Sequence, residues 1–330
     1  MTMRWFRYPS LLAGVLGGLL AANAQALNVT LDFSLDTSGM FAPGSVARDV
    51  VTAAGQTFAT LFTDSLSAIV PGGVNQFTAQ VFNPAGAAAP CSGATPDVLT
   101  LPGLVVPADT VIIYVAGRTD IAPLGCGGPG GFSASGTAGF LDTVVRRGQD
   151  APTQGIDASE FAPWGGAIAF NALEDWYLDP DPSTTESFSG VDLFSTALHE
   201  LGHVLGFGTA ESFFNLVASG VFTGAQTVAA AGGTVSLSGD GGHFASGTQS
   251  TVNGTPQEAA MDPELTVGQR KQLTALDVAA FADIGWSVQS PPTPEADPLP
   301  VPAWGPWSLG SAALLLSLLG GGLPRRLRAA

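Results

Sequence analysis

Two histidines four residues apart, His199 and His203, enclose Glu200, Leu201 and Gly202, and this spacing constrains the chain more than any other feature. Residues four apart share a helical face, so both imidazoles can turn to one point while Glu200 stands one step round the helix. The flanking residues read the same way. Phe194, Leu198, Leu201 and Leu205 recur at helical spacing, and Gly206 supplies a left-handed stop. Two nitrogen ligands beside a carboxylate suit zinc, a non-redox ion that lowers the pKa of a bound water, with Glu200 placed to take the proton. A metal site without catalysis is the other reading, but it has no need of a carboxylate beside an open water.

A catalytic zinc site commonly has three protein ligands. Three residues after Gly206, past Phe207-Gly208, stands Thr209, which is not a credible zinc ligand. The only histidine left is His243, in the run Gly239-Asp240-Gly241-Gly242-His243-Phe244, with Asp240 as the fallback ligand. Further on come Glu258-Ala259-Ala260-Met261-Asp262-Pro263 and a helix-like stretch from Leu273 that ends Asp283-Ile284-Gly285-Trp286. This order resembles the leishmanolysin-type metzincins, in which an insertion separates the glycine turn from the third histidine and a methionine turn follows. Upstream, Trp164-Gly165-Gly166-Ala167-Ile168-Ala169-Phe170-Asn171, an acidic stretch with Trp176, and Asp192 to Leu198 resemble the edge-strand region and active-site-helix entry of matrixin-like metzincins. The resemblance covers about residues 160 to 286. It implies an α+β fold with a mixed twisted sheet and the active-site helix in an upper subdomain, and a smaller, irregular lower subdomain with a C-terminal helix. It also implies Zn2+ on His199, His203 and His243, Glu200 as the base, Gly206 at the turn, Met261 as a hydrophobic floor under the metal, and a protein or peptide substrate. The alternative kept beside it is a non-catalytic surface or matrix protein with a structural metal.

The remaining pattern is of short strand-like runs broken by Gly, Pro and Asp: Leu27 to Phe33, Gln76 to Phe82, Thr110 to Val115 and Ala167 to Phe170, with one helix-like stretch from Ala47 to Leu66. The resulting division is a sheet-bearing region over 27–187, which could include a propeptide, and a zinc-binding region over 188–286. Asp175, Asp179 and Asp181 could hold Ca2+ in an exported protein; a solvated acidic loop is the plainer reading. Cys91 and Cys126 are the only cysteines. In an oxidising compartment they pair, stabilising by roughly 3 to 4 kcal/mol, whereas Cys126-Gly127-Gly128-Pro129 could instead serve as a zinc-blocking thiol.

The ends read as addresses. Arg4 and Arg7 precede the apolar run Leu11 to Ala22 and small residues through Ala26, the layout of a signal peptide over 1–26. A Pro-rich linker over 287–306 leads to the uncharged stretch Trp307 to Leu323, followed by Arg325, Arg326 and Arg328. About 17 residues at ~1.5 Å each are close to the minimum for crossing a bilayer, and the arginines would stay on the cytoplasmic side. This tail resembles the C-terminal sorting tails of exosortase substrates, without their Pro-Glu-Pro triplet, and implies a sorting enzyme at the membrane and a cell-surface, periplasmic or extracellular destination. All 27 acidic residues lie between these ends, against six of the 11 basic ones. Such a body is repelled by phosphate backbones, which excludes a nucleic-acid partner.

Overall fold

The computed structural model describes residues 27–88, 91, 95–183 and 186–289. The expected signal peptide, the sorting tail and most of the linker lie outside them. No helix among the described residues is long and apolar enough to cross a membrane. The chain first forms β1 (Asn28–Asp32), α1 (Val46–Leu61), β2 (Gln76–Phe82), β3 (Val98–Pro102), β4 (Thr110–Arg118), β5 (Gly125–Pro129), β6 (Gly131–Ser135), α2 (Ala138–Arg146) and β7 (Gly165–Asn171). It continues through β8 (Trp176–Tyr177), β9 (Val191–Asp192), α3 (Leu193–Val204), α4 (Glu211–Phe214), β10 (Val217–Ala218), β11 (Val221–Phe222), α5 (Ala225–Ala231), β12 (Val235–Ser236), β13 (Gln249–Val252), β14 (Thr255–Glu258) and α6 (Ala275–Asp283).

The main sheet has the order β1-β4-β7-β5, with β1, β4 and β7 parallel and β5 antiparallel to β7. This corrects one expectation. The run Trp164 to Asn171 is not at the edge: its strand, β7, lies between β4 and β5 and is buried from Gly165 to Phe170. The edge on that side is β5, whose Gly-Cys-Gly-Gly-Pro sequence has little strand propensity of its own. It is a strand because β7 offers it a ladder from Gly166 to Phe170.

Helices α1 and α3 bury their apolar faces in one core with the main sheet. Val50, Val51, Ala54 and Phe58 of α1 meet Leu198 and Leu201 of α3 and Val111, Ile113, Val115 and Ile168 of the sheet. Each of these Val, Leu, Ile and Phe side chains contributes about 1.5–3 kcal/mol. Residues 28–61 thus share one core with α3. Ser45 caps α1 by accepting the Arg48 amide. The helix stops at Leu61, short of the expected Leu66, because Phe62 turns extended and bridges to Val288. The first residues of the expected linker are therefore still attached to the fold. A second sheet, β3-β2-β6, packs with α2 around Phe77, Val81, Phe140 and Trp164. Arg147, fully buried, joins these parts by donating to the carbonyls of Ser67, Pro107, Thr110 and Pro163, and burial pulls its pKa down to about 10.

After α3 the elements are short. The small sheet β10-β11-β12, the hairpin β13-β14 and helix α6 carry the chain from Leu205 back under α3. Thr274 and Asp277 form a capping box at the start of α6.

Candidate metal centre

Helix α3 starts at Asp192, whose carboxylate accepts the Ser195 amide and is gripped by Arg270 through Nε at 3.0 Å and Nη2 at 2.9 Å. The helix ends in a Schellman turn: Phe207 N–H bonds to Gly202 O at 3.0 Å and Gly206 N–H to His203 O at 3.2 Å. Gly206 has φ +106°, and a β-carbon there would lie 2.6 Å from the Phe161 ring, so backbone and space both require glycine. The turn brings the Phe207 carbonyl to His203. Thr209, where a third histidine would stand in the unbroken pattern, instead donates its hydroxyl to His203 O at 2.7 Å.

The three histidines meet. His203 Nε2 lies 3.1 Å from His199 Nε2 and 3.0 Å from His243 Nε2. Every Nδ1 faces an acceptor that has no proton to give: Ala260 O for His199, Phe207 O for His203 and Asp240 Oδ2 for His243, each at 2.8 Å. Each Nδ1 therefore carries the proton, and each Nε2 presents a lone pair. Three lone pairs about 3 Å apart repel one another unless a cation sits among them. Imidazole nitrogens bound at about 2.0–2.1 Å around a tetrahedral ion stand about 3.3–3.4 Å apart, so the set fits zinc with a small outward relaxation. Burial, reinforced by the neighbouring imidazoles, holds His199 well below its ordinary pKa and His203 down to about 4, which keeps both neutral as ligands must be. Among the described residues no other group of three metal-capable side chains converges this way.

Glu200 lies beside this point, buried under β5. A β-carbon at Gly125 would be 2.8 Å from Glu200 Oε1, and one at Gly127 would be 2.4 Å from the Glu200 carbonyl. The missing side chains of β5 let the edge strand settle onto the helix. Burial pushes the Glu200 carboxyl up to about 8, against a hydrogen bond from the Gly127 amide. A carboxylate this poorly solvated is a ready proton acceptor. The centre lies in a cleft of about 740 Å³ lined by Leu124 to Gly127 above and by Asp240, His243, Ala260 and Asp262 to Leu265 below.

Met261 is fully buried beneath α3. A β-carbon at Gly202 would be 2.5 Å from Met261 Sδ, so the glycine between the two helix histidines makes the room that the methionine fills. The turn that carries Met261 is held by Asp277, whose carboxylate accepts the amides of Ala260 at 2.9 Å and Met261 at 3.0 Å. Sequence reading placed Met261 but missed Gly202, Gly125, Gly127 and Asp277. Only the capping-box spacing Thr274 to Asp277 could have drawn attention to Asp277, and that spacing says nothing of its reach to the turn.

Other candidates fall outside the metal point. Cys91 and Cys126 are joined as a disulfide, with Cys91 on the cleft rim and Cys126 in β5. Asp179 and Asp181 are met by Arg270, which donates to both carbonyls and to the Asp179 carboxylate, while the Asp175 carbonyl accepts the Val191 amide. Asp240 faces His243 from behind and is no ligand.

The sequence profile of the Matrixin peptidases matches residues 146–217, from the end of α2 to β10, and supports a metzincin-type metalloprotease. The matched stretch contains His199, Glu200 and His203 and stops short of His243 and Met261. No curated protein and no solved structure matches the chain.

Proposed function

We propose that the chain is an exported, zinc-dependent metalloendopeptidase in which His199, His203 and His243 hold the metal and Glu200 is the base. The observation that carries this reading is the convergence of three imidazole lone pairs beside a buried carboxylate, at the foot of a cleft roofed by an edge strand. A bound zinc ion supplies a Lewis acid that polarises a carbonyl and lowers the pKa of water to about 7. The outer edge of β5 pairs with an extended substrate chain through backbone hydrogen bonds that suit any peptide. Glu200 takes a proton from the attacking water on its carboxylate and returns it to the leaving amine, and its burial keeps that carboxyl basic enough to do so. The Ala260 carbonyl fixes the plane of His199.

Export is supported by the signal-like residues 1–26, and retention at the membrane by the apolar segment and terminal arginines of 307–330 read by a sorting enzyme. Glu200→Gln tests the chemistry. The amide keeps the shape but accepts no proton, so zinc should stay at one per chain while cleavage of an unfolded protein falls by about 10²–10⁴. Wild-type protein that binds zinc but cleaves nothing, with or without chelator, would favour the non-catalytic surface protein. Removing residues 298–330 should release a soluble, active protein from cells; loss of the fold on truncation would place the tail within the domain.

A further inference from the structure

The three imidazoles are alike in tautomer but not in support. His199 and His203 stand on one helix and donate to neutral carbonyls, whereas His243 stands on the hairpin closed by the antiparallel bridge between Leu237 and Phe244, at the cleft rim, and donates to a carboxylate that is 57 % exposed. We propose that Asp240 is a positioning residue of the centre, which sets the tautomer of His243 and the charge felt by the metal. This rests on the zinc-site reading above.

Two arguments carry it. Three neutral imidazoles leave the charge of a divalent ion uncompensated. Asp240, whose Oδ2 lies 2.8 Å from His243 Nδ1, is a carboxylate that reaches one of the ligand rings and so gives standing compensation through it. The second argument is the hairpin's wiring. Asp240 Oδ1 accepts the Ser238 hydroxyl at 2.5 Å and the Gly242 amide at 2.8 Å, which leaves only Oδ2 facing His243 Nδ1. In an Asp240→Asn variant the carbonyl oxygen keeps the Gly242 and Ser238 bonds, and the amide NH2 faces Nδ1. A donor there needs a bare Nδ1, which moves the ring proton to Nε2 and removes the lone pair that points at the metal. The hairpin itself does not depend on the carboxylate's charge. Ser238 N–H bonds to His243 O at 3.0 Å, Phe244 N–H to Met261 O at 3.0 Å and Ala245 N–H to Ser236 O at 2.9 Å.

Zinc affinity, measured by competition with a chromogenic chelator, should fall about 10- to 100-fold in Asp240→Asn. In the metal-free protein the 15N shifts of His243 should change from the Nδ1–H to the Nε2–H pattern. The thermal midpoint of the metal-free protein should not move. Asp240→Ala, which offers no donor, should weaken zinc without reversing the tautomer. Unchanged affinity in both variants, or a metal-free midpoint that falls in step with the affinity, would overturn the assignment. If wild-type protein binds no zinc, the metalloprotease reading fails first; if wild type binds and the variants bind equally well, this inference alone fails.

Discussion

Up to Val204 the cleft is built from long elements, with α1 of 16 residues, α3 of 12 and strands such as β4 of nine. From Leu205 to Gln289 no strand exceeds four residues. The first half is held by broad apolar burial, in which no one contact decides. The second also buries Phe207, Phe213, Phe222, Phe244 and Phe281, but its short elements are tied together by single polar bonds across long sequence distances: Asp277 to the methionine turn, Trp286 Nε1 to Leu205 O at 2.8 Å and Ser212 Oγ to Ile284 O at 2.8 Å. A site made jointly by both should tolerate conservative changes in the first half and respond sharply to single polar changes in the second.

The largest effect is expected where the halves meet. His203→Ala on the helix and His243→Ala on the hairpin should each lose bound zinc, and with it peptidase activity; equal losses mean that the hairpin ligand is placed as well as the helical one. Zinc content after gel filtration checks this, and a His243→Ala protein that keeps its metal would divide the halves again. Next comes Asp277→Ala. It strips partners from the buried Ala260 and Met261 amides and from the Thr274 cap, so chemical denaturation should show a loss of about 3–5 kcal/mol. Gly202→Ala should cost about 1–3 kcal/mol despite alanine's better helix propensity, because the added carbon meets Met261; restoring stability with Met261→Leu or a smaller residue would support that cause. Thr209→Ala should be smallest, about 0.5–1.5 kcal/mol by the same denaturation, with zinc content unchanged.

The same contrast governs what could be read from the sequence. His199, Glu200, His203 and Gly206 were legible because a helix turns spacing directly into a shared face and a glycine into a stop. Strands β2 and β4 were legible from their alternating or apolar runs. β5 was not, since its Gly-rich sequence becomes a strand only through its neighbour, and β7 was taken for the edge because a buried central strand and an edge strand can carry the same short apolar run. His243 came from elimination and family resemblance, as no local pattern links it to His203 forty residues earlier. The roles of Gly125, Gly127 and Gly202 were invisible because a glycine's function there is the absence of atoms in a place the sequence does not specify.

The bridge between Phe62 and Val288 has a consequence for the timing of assembly. Thr63 N–H bonds to Ser287 O at 2.9 Å and Gln289 N–H to Leu61 O at 2.8 Å, so the end of the first helix is closed by residues more than two hundred positions later. β1, too, finds its partner only when β4 has been made. Contacts of such long sequence separation form late and make folding slow. At ~5–20 residues per second, synthesis reaches Gln289 after about 15 to 60 s. Through that interval the growing chain has an α1 without its seam, although the sheet's middle strands, β4 and β7, are already made by Asn171. A chain whose first helix is closed only by its last described residues is expected to stay open longer than one built from local contacts.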